Sequence, residues 1–252
     1  MKFAGVILLC FAATLIVAGG GLLRGSAVAQ DAQFTPAEET ELGPVFLVSL
    51  GGKLYHDLWR VLDKEPPADA NPAFPAEGLF ATRDSWRCVT CHGWDYSGAE
   101  IGGTHFPGLR TLQGADPNLI RERLSDPKHP FPIDQLPEMG VDLLSLFISQ
   151  GQYDTPAYFH GDGTALGNSE DGQAIFEGAC INCHQLDGRR YLEGERGDRS
   201  SLGWVIRNRP NQALHKILNG VPAAEMMSLR FLSDETIADL LAYLQTLDPN
   251  ER

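Results

Sequence analysis

Cys88-Val89-Thr90-Cys91-His92 and Cys180-Ile181-Asn182-Cys183-His184 are two copies of one five-residue pattern, 92 positions apart. Cys-x-x-Cys-His is the attachment signature of c-type haem. Two cysteines about one helical turn apart reach both vinyl groups of a porphyrin, and the adjacent histidine stands where its imidazole can bind iron axially. The spacing therefore predicts two covalently bound haem c groups. Cys88 and Cys91 would hold one and Cys180 and Cys183 the other, with His92 and His184 as the proximal iron ligands. A zinc site built from the four cysteines would want its second pair about 15–20 residues away, whereas Cys180 follows Cys91 by 89 positions. A thioredoxin-like reading needs a βαβ frame, and two disulfides would leave the two equivalent histidines unexplained.

The fifth cysteine, Cys10, lies in an apolar run over residues 3–23, preceded by Lys2. A positive start, an apolar stretch and Ala27-Val28-Ala29 read as a secretory signal over residues 1–29. Left uncut, the same run is long enough to anchor the chain in a membrane. Either route delivers the folded part to the periplasm, where c-type haem is attached. Removal of residues 1–29 takes Lys2 and Arg24 but no acid, leaving 18 basic against 33 acidic residues, a charge of −15. Such a surface repels nucleic acid and suits solubility or a basic protein partner.

Each motif sits in its own module: residues 30–152, a linker over 153–168, and residues 169–252. Gly172-Gln173-Ala174-Ile175-Phe176 opens a helix running into Cys180. A related start, Gly52-Lys53-Leu54-Tyr55, precedes Cys88 by much more, and the inserted stretch holds Pro66, Pro67, Pro72 and Pro75, which forbid regular helix. Thr35-Pro36-Ala37-Glu38 is a capping box that starts a further helix at the N-terminal side. Leu143-Leu144-Ser145-Leu146-Phe147 and Leu240-Leu241-Ala242-Tyr243-Leu244 carry apolar residues at helical spacing, as terminal packing helices do. Ser233-Asp234-Glu235-Thr236 is a helix start. From Gly151 onward the linker is rich in Gly, Asp and Thr.

These features resemble class I cytochromes c in tandem. The resemblance implies an all-α fold of two modules, the first with an N-terminal helical extension and a Pro-rich insertion. Gly220-Val221-Pro222-Ala223-Ala224-Glu225-Met226 resembles the segment that carries the family's distal methionine, which points to Met226 rather than the adjacent Met227. Superposing the terminal helices places Leu143 over Leu240, an offset of 97, and carries Met226 back onto His129, followed by Pro130. His129 is thus the expected distal ligand of the first haem, with Met139 and His105 as rivals. Trp86, Trp94 and Tyr96 are candidates to line that haem. His56 and His160 read as surface residues, and His215 as a surface or supporting residue. The run from Asp187 to Arg199 reads as a solvated loop, or as a docking edge through Arg189, Arg190 and Arg196.

The resemblance implies a periplasmic electron carrier with redox-protein partners such as a membrane respiratory complex, an oxidase or a reductase. Imidazole stabilises ferric iron and thioether ferrous iron, so electrons would run from a His/His haem in module one to a His/Met haem in module two. The alternative is a two-haem enzyme, thiosulfate-oxidising or peroxidase-like, with a labile ligand at the first haem.

Overall fold

The computed structural model describes residues 43–75, 82–126, 129, 131, 133–190 and 200–249. Residues 1–29, read above as a secretory signal, the capping-box residues from Thr35 and most of the run from Asp187 to Arg199 lie outside the described residues. Among those described, no helix is long and apolar enough to cross a membrane. The structure is helix-rich, and residues 41–252 form one compact unit.

Helix α1, Pro44–Val61, starts on a proline whose missing N–H costs nothing in a first turn. It buries Leu54, Tyr55, Leu58 and Trp59. The helix breaks at Asp57 (φ −159°, ψ 91°), where the Arg60 amide turns to the Asp57 carboxylate (3.2 Å). The freed His56 carbonyl accepts from Arg87 Nε at 2.9 Å, which ties α1 to the residue that opens α2, Cys88–His92. Between them the described part of the Pro-rich stretch, residues 62–75, forms no regular helix, and a short 3-10 turn follows at Thr82–Trp86. Beyond α2 come α3, Pro117–Leu124, capped by Asp116, and α4, Glu138–Gln150.

The expected all-α fold carries one addition. Strands β1, Gly98–Ile101, and β2, Thr104–Pro107, pair antiparallel with Ile101 opposite Thr104. The two-residue turn between them is Gly102-Gly103, both at positive φ (54° and 77°), the conformation that a right-twisted hairpin demands.

In the second half, α5, Ser169–Ile175, passes through a π-helical turn, Phe176–Cys180, into α6, Ile181–His184. Then follow α7, Leu202–Asn208, α8, Pro210–Asn219, and α9, Asp234–Leu244. The Ser233 hydroxyl accepts from the Thr236 amide, and Asp234 and Glu235 occupy the favourable first turn of α9.

Each half is framed by an opening and a closing helix that cross closely, and a glycine permits each crossing. A Cβ on Gly51 would run into the Leu143 carbonyl and the Phe147 side chain of α4; one on Gly172 would strike the Asp239 carbonyl and Tyr243 of α9. Gly51 therefore stands to Tyr55 as Gly172 does to Phe176, one residue earlier than the sequence pairing with Gly52 implies. Gly52 instead faces Asn219 of α8.

Residues 153–168 are not a solvated tether. Tyr153, Tyr158 and Phe159 are buried, and the Tyr153 hydroxyl lies 2.7 Å from the Trp94 carbonyl and 2.8 Å from that of Asn211. Arg230 donates to the Gly151 carbonyl (2.9 Å) and to Asn219 Oδ1 (2.8 Å) across the same seam. Aromatic mass at these positions outweighs the Gly/Asp/Thr composition, and one hydrophobic cluster runs through both halves.

Candidate functional site

A cavity of about 600 Å³ opens beside α2. Cys88, Cys91, His92 and His129 all line it, and Leu109, Ile120, Phe131, Leu144 and Ile148 supply apolar wall. The imidazoles of His92 and His129 have centroids 6.3 Å apart and planes within 14° of parallel. Two imidazoles facing each other in this way could together hold one haem iron.

Local structure aims each ring. The Tyr55 hydroxyl donates to the Gly93 carbonyl (2.7 Å) and pins the end of α2, where Gly93 turns the chain at φ 79°. His92 Nδ1 lies 2.8 Å from the Pro107 carbonyl on β2. As the donor there, Nδ1 leaves Nε2 with the lone pair that a metal requires, the usual supporting arrangement of a metal-binding histidine. His129 is held by its own backbone, its amide donating to Asp126 (2.8 Å) and its carbonyl accepting from Phe131 (2.6 Å). The Leu124 backbone supports the His129 ring more loosely, since Nδ1 has no partner at strict hydrogen-bond geometry.

Burial lowers the pKa of both imidazoles, so both are neutral donors near neutral pH. Burial also pushes the Cys88 thiol up to about 12 and Cys91 to about 11. These sulfurs are held uncharged, as suits conversion to thioethers rather than thiolate ligation. No disulfide joins the four described cysteines. Among the described residues no group of three or more His, Cys, Asp or Glu is assembled that could hold a metal by protein ligands alone. The donors thus fit a porphyrin-borne iron. Arg87 and Arg123, also in the lining, bring the charge that porphyrin carboxylates call for.

The rivals of His129 lie elsewhere. Met139 is 70% exposed in the first turn of α4, and His105 pairs with Glu100 on the outside of the hairpin (2.5 Å). In the second half, Cys180 and His184 are half-buried and Cys183 is exposed. Met226 packs against the core on the loop that Gly220 opens at φ 80°, whereas Met227 is 60% exposed.

Three expectations need correction. Trp86, Trp94 and Tyr96 do not line the cavity: Trp86 and Tyr96 are core residues, and Trp94 packs edge-on to His56 and His215. His56 is not on the surface but is 8% exposed, while His160 is exposed as expected. His215 is fully buried, between the Gly52 carbonyl (3.0 Å from Nε2) and the Tyr96 hydroxyl (3.2 Å from Nδ1). These burials arise from α1 packing on α8, a pairing that local periodicity does not reveal.

The cytochrome c family model matches residues 169–248, roughly a third of the chain. No curated protein matches it. The second half therefore contains a cytochrome c domain, which implies covalently bound haem c and electron transfer through its iron.

Proposed function

We propose that the chain is a two-haem c-type cytochrome that carries single electrons, with residues 30–152 and 169–252 as its two haem modules. Cys88 and Cys91 hold the first haem between His92 and His129. Cys180 and Cys183 hold the second between His184 and Met226. The observation that carries this reading is the facing pair of imidazoles, 6.3 Å apart, across an apolar cavity that also contains both cysteines of the first motif.

When bound, the haem groups supply reversible one-electron iron chemistry. The protein residues set its direction. Two neutral imidazoles favour the ferric state in module one, and the Met226 thioether favours the ferrous state in module two. Module one is then the donor and module two the acceptor. Leu109, Ile120, Phe131, Leu144 and Ile148 would give the first haem an apolar setting. His129, facing His92 across the cavity, would supply the haem iron with a second protein ligand, which supports a carrier over a thiosulfate-oxidising or peroxidase-like enzyme.

The apolar segment at residues 3–23 and the Ala27-Val28-Ala29 site support export to the periplasm, with the segment either cleaved or kept as an anchor. The net charge of −13 supports a basic partner and argues against nucleic acid; a membrane respiratory complex, an oxidase or a reductase is the class of redox partner an electron carrier of this kind would serve. Haem content per chain tests the reading. Two haems are expected in the parent and one after either Cys88→Ser/Cys91→Ser or Cys180→Ser/Cys183→Ser; one haem in the parent refutes it.

A further inference from the structure

A second cavity, of about 920 Å³, lies on the other face of α2. Val89, Thr90 and Gly93 present that face, and α8 with Val221 and Pro222 forms the opposite wall. In a chain of net charge −13, this cleft gathers five cations: Arg60, Arg83, Arg87, Arg209 and Lys216. Three carboxylates join them, and two are engaged. Asp57 pairs with Arg60 (3.4 Å) and Arg83 (3.7 Å), and Asp84 with Arg87 (2.9 Å). The third, Asp95, accepts from the Ser97 hydroxyl at 2.7 Å.

His56 forms part of the wall. It is 8% exposed, yet its Nδ1 has no hydrogen-bond partner. A buried polar atom without a partner is costly in a folded protein, and a ligand is one of the few things that satisfies it. Its pKa is held well below the ordinary histidine value, first by burial and then by the positive fields of Arg87, Lys216 and Arg60. The interior at His56 is therefore electropositive. As an Nδ1–H tautomer the neutral ring can donate to an anion there.

We infer that this cleft binds a divalent oxyanion of the sulfate or phosphate class, held by Arg209, Lys216, Arg60 and the His56 ring. Arg209, an exposed residue of the lining, stacks its guanidinium over Trp204 (5.1 Å). The cleft is larger than an inorganic ion requires, with Pro210 and Pro222 as apolar wall, so the oxyanion can be free or borne on a small organic body.

Calorimetry on the purified, haem-loaded full chain tests this with inorganic phosphate and phenyl phosphate, against chloride at equal ionic strength. One phosphate per chain is expected, bound at least tenfold more tightly than chloride. Arg209→Gln and Arg60→Gln, both exposed side chains, should each weaken it about fivefold, while Arg110→Gln, outside the cleft, leaves it unchanged. Tighter binding of phenyl phosphate assigns an organic ligand; equal binding assigns the free ion. Phosphate binding no better than chloride overturns the inference, as does binding unchanged in the Arg209→Gln/Arg60→Gln variant. Occupation of the cleft by haem carboxylates would give that first negative result. The heat signal needs no haem assignment, so its failure leaves the electron-carrier reading intact.

Discussion

Replacing Gly51 by alanine puts a methyl group into the crossing of α1 and α4. Its Cβ would lie 2.6 Å from the Phe147 Cβ and still closer to the Leu143 carbonyl. Carbon atoms pack at about 3.5–4.0 Å, so the helices must separate by about 1 Å. A gap of that size forfeits a quarter to a half of the contact energy along the seam. Overpacking of this kind costs about 1–3 kcal/mol, occasionally more, while alanine in a helix gains about 1 kcal/mol over glycine. With Phe147, Tyr55 and Leu144 fully buried at the crossing, the steric cost wins, by about 2 kcal/mol net. For a chain of this size that lowers Tm by about 4–8 °C. Leu144 and Tyr55 also line the first cavity, so Gly51→Ala should broaden or shift the spectrum of the first haem and spare the second. Gly172→Ala, whose Cβ would lie 2.9 Å from the Tyr243 Cβ and against the Asp239 carbonyl, should do the reverse. Thermal unfolding by far-UV circular dichroism, with haem absorption read in parallel, is the assay. An unchanged or raised Tm would mean that helix propensity outweighs the clash, and the close-crossing argument would be wrong.

Three other outcomes are expected. Met226→Ala should abolish the far-red charge-transfer band of methionine-ligated ferric haem, and Met227→Ala, at a residue 60% exposed, should leave it in place; absorption spectra of the oxidised variants check this. His215 is held at about 3 by burial, below the ordinary value of about 6.5, so its stabilising contribution is complete above that value and declines as pH falls. Near pH 4 the proton bound by the unfolded chain alone costs about 3 kcal/mol, and urea unfolding from pH 7 to 4 should show a steeper loss in the parent than in His215→Gln. Arg230→Gln leaves the Gly151 carbonyl and Asn219 Oδ1 short of a donor and should destabilise by about 2 kcal/mol in denaturant titration, with both halves still unfolding together.

What was legible in the sequence was whatever is local. The two Cys-x-x-Cys-His pentapeptides, the Ser233 cap of α9, the two terminal helices and the Pro-rich stretch each depend on neighbours a few residues apart. Gly102-Gly103 between short alternating segments is an equally local hairpin signal, masked by the helical spacing that dominates its surroundings. Tyr153, Tyr158 and Phe159 likewise mark a packed segment inside a run whose Gly, Asp and Thr suggest solvent. The rest depends on contacts between distant parts of the chain. His56 and His215 are 159 positions apart, and both are buried by α1 against α8. Nothing within a helical turn of either announces it. The approach of His129 to His92 is also long-range, and only the internal repeat made it readable. The cationic cleft has no sequence signature, because its arginines come from separate elements.

The central claim is that two haems of different axial ligation share this chain. Electron paramagnetic resonance of the fully oxidised, haem-loaded protein measures that directly. Two low-spin ferric signals of equal spin count are expected, one of the His/His type with near-parallel imidazole planes and one of the His/Met type. A high-spin signal from the first haem, or a single low-spin species, would contradict the account.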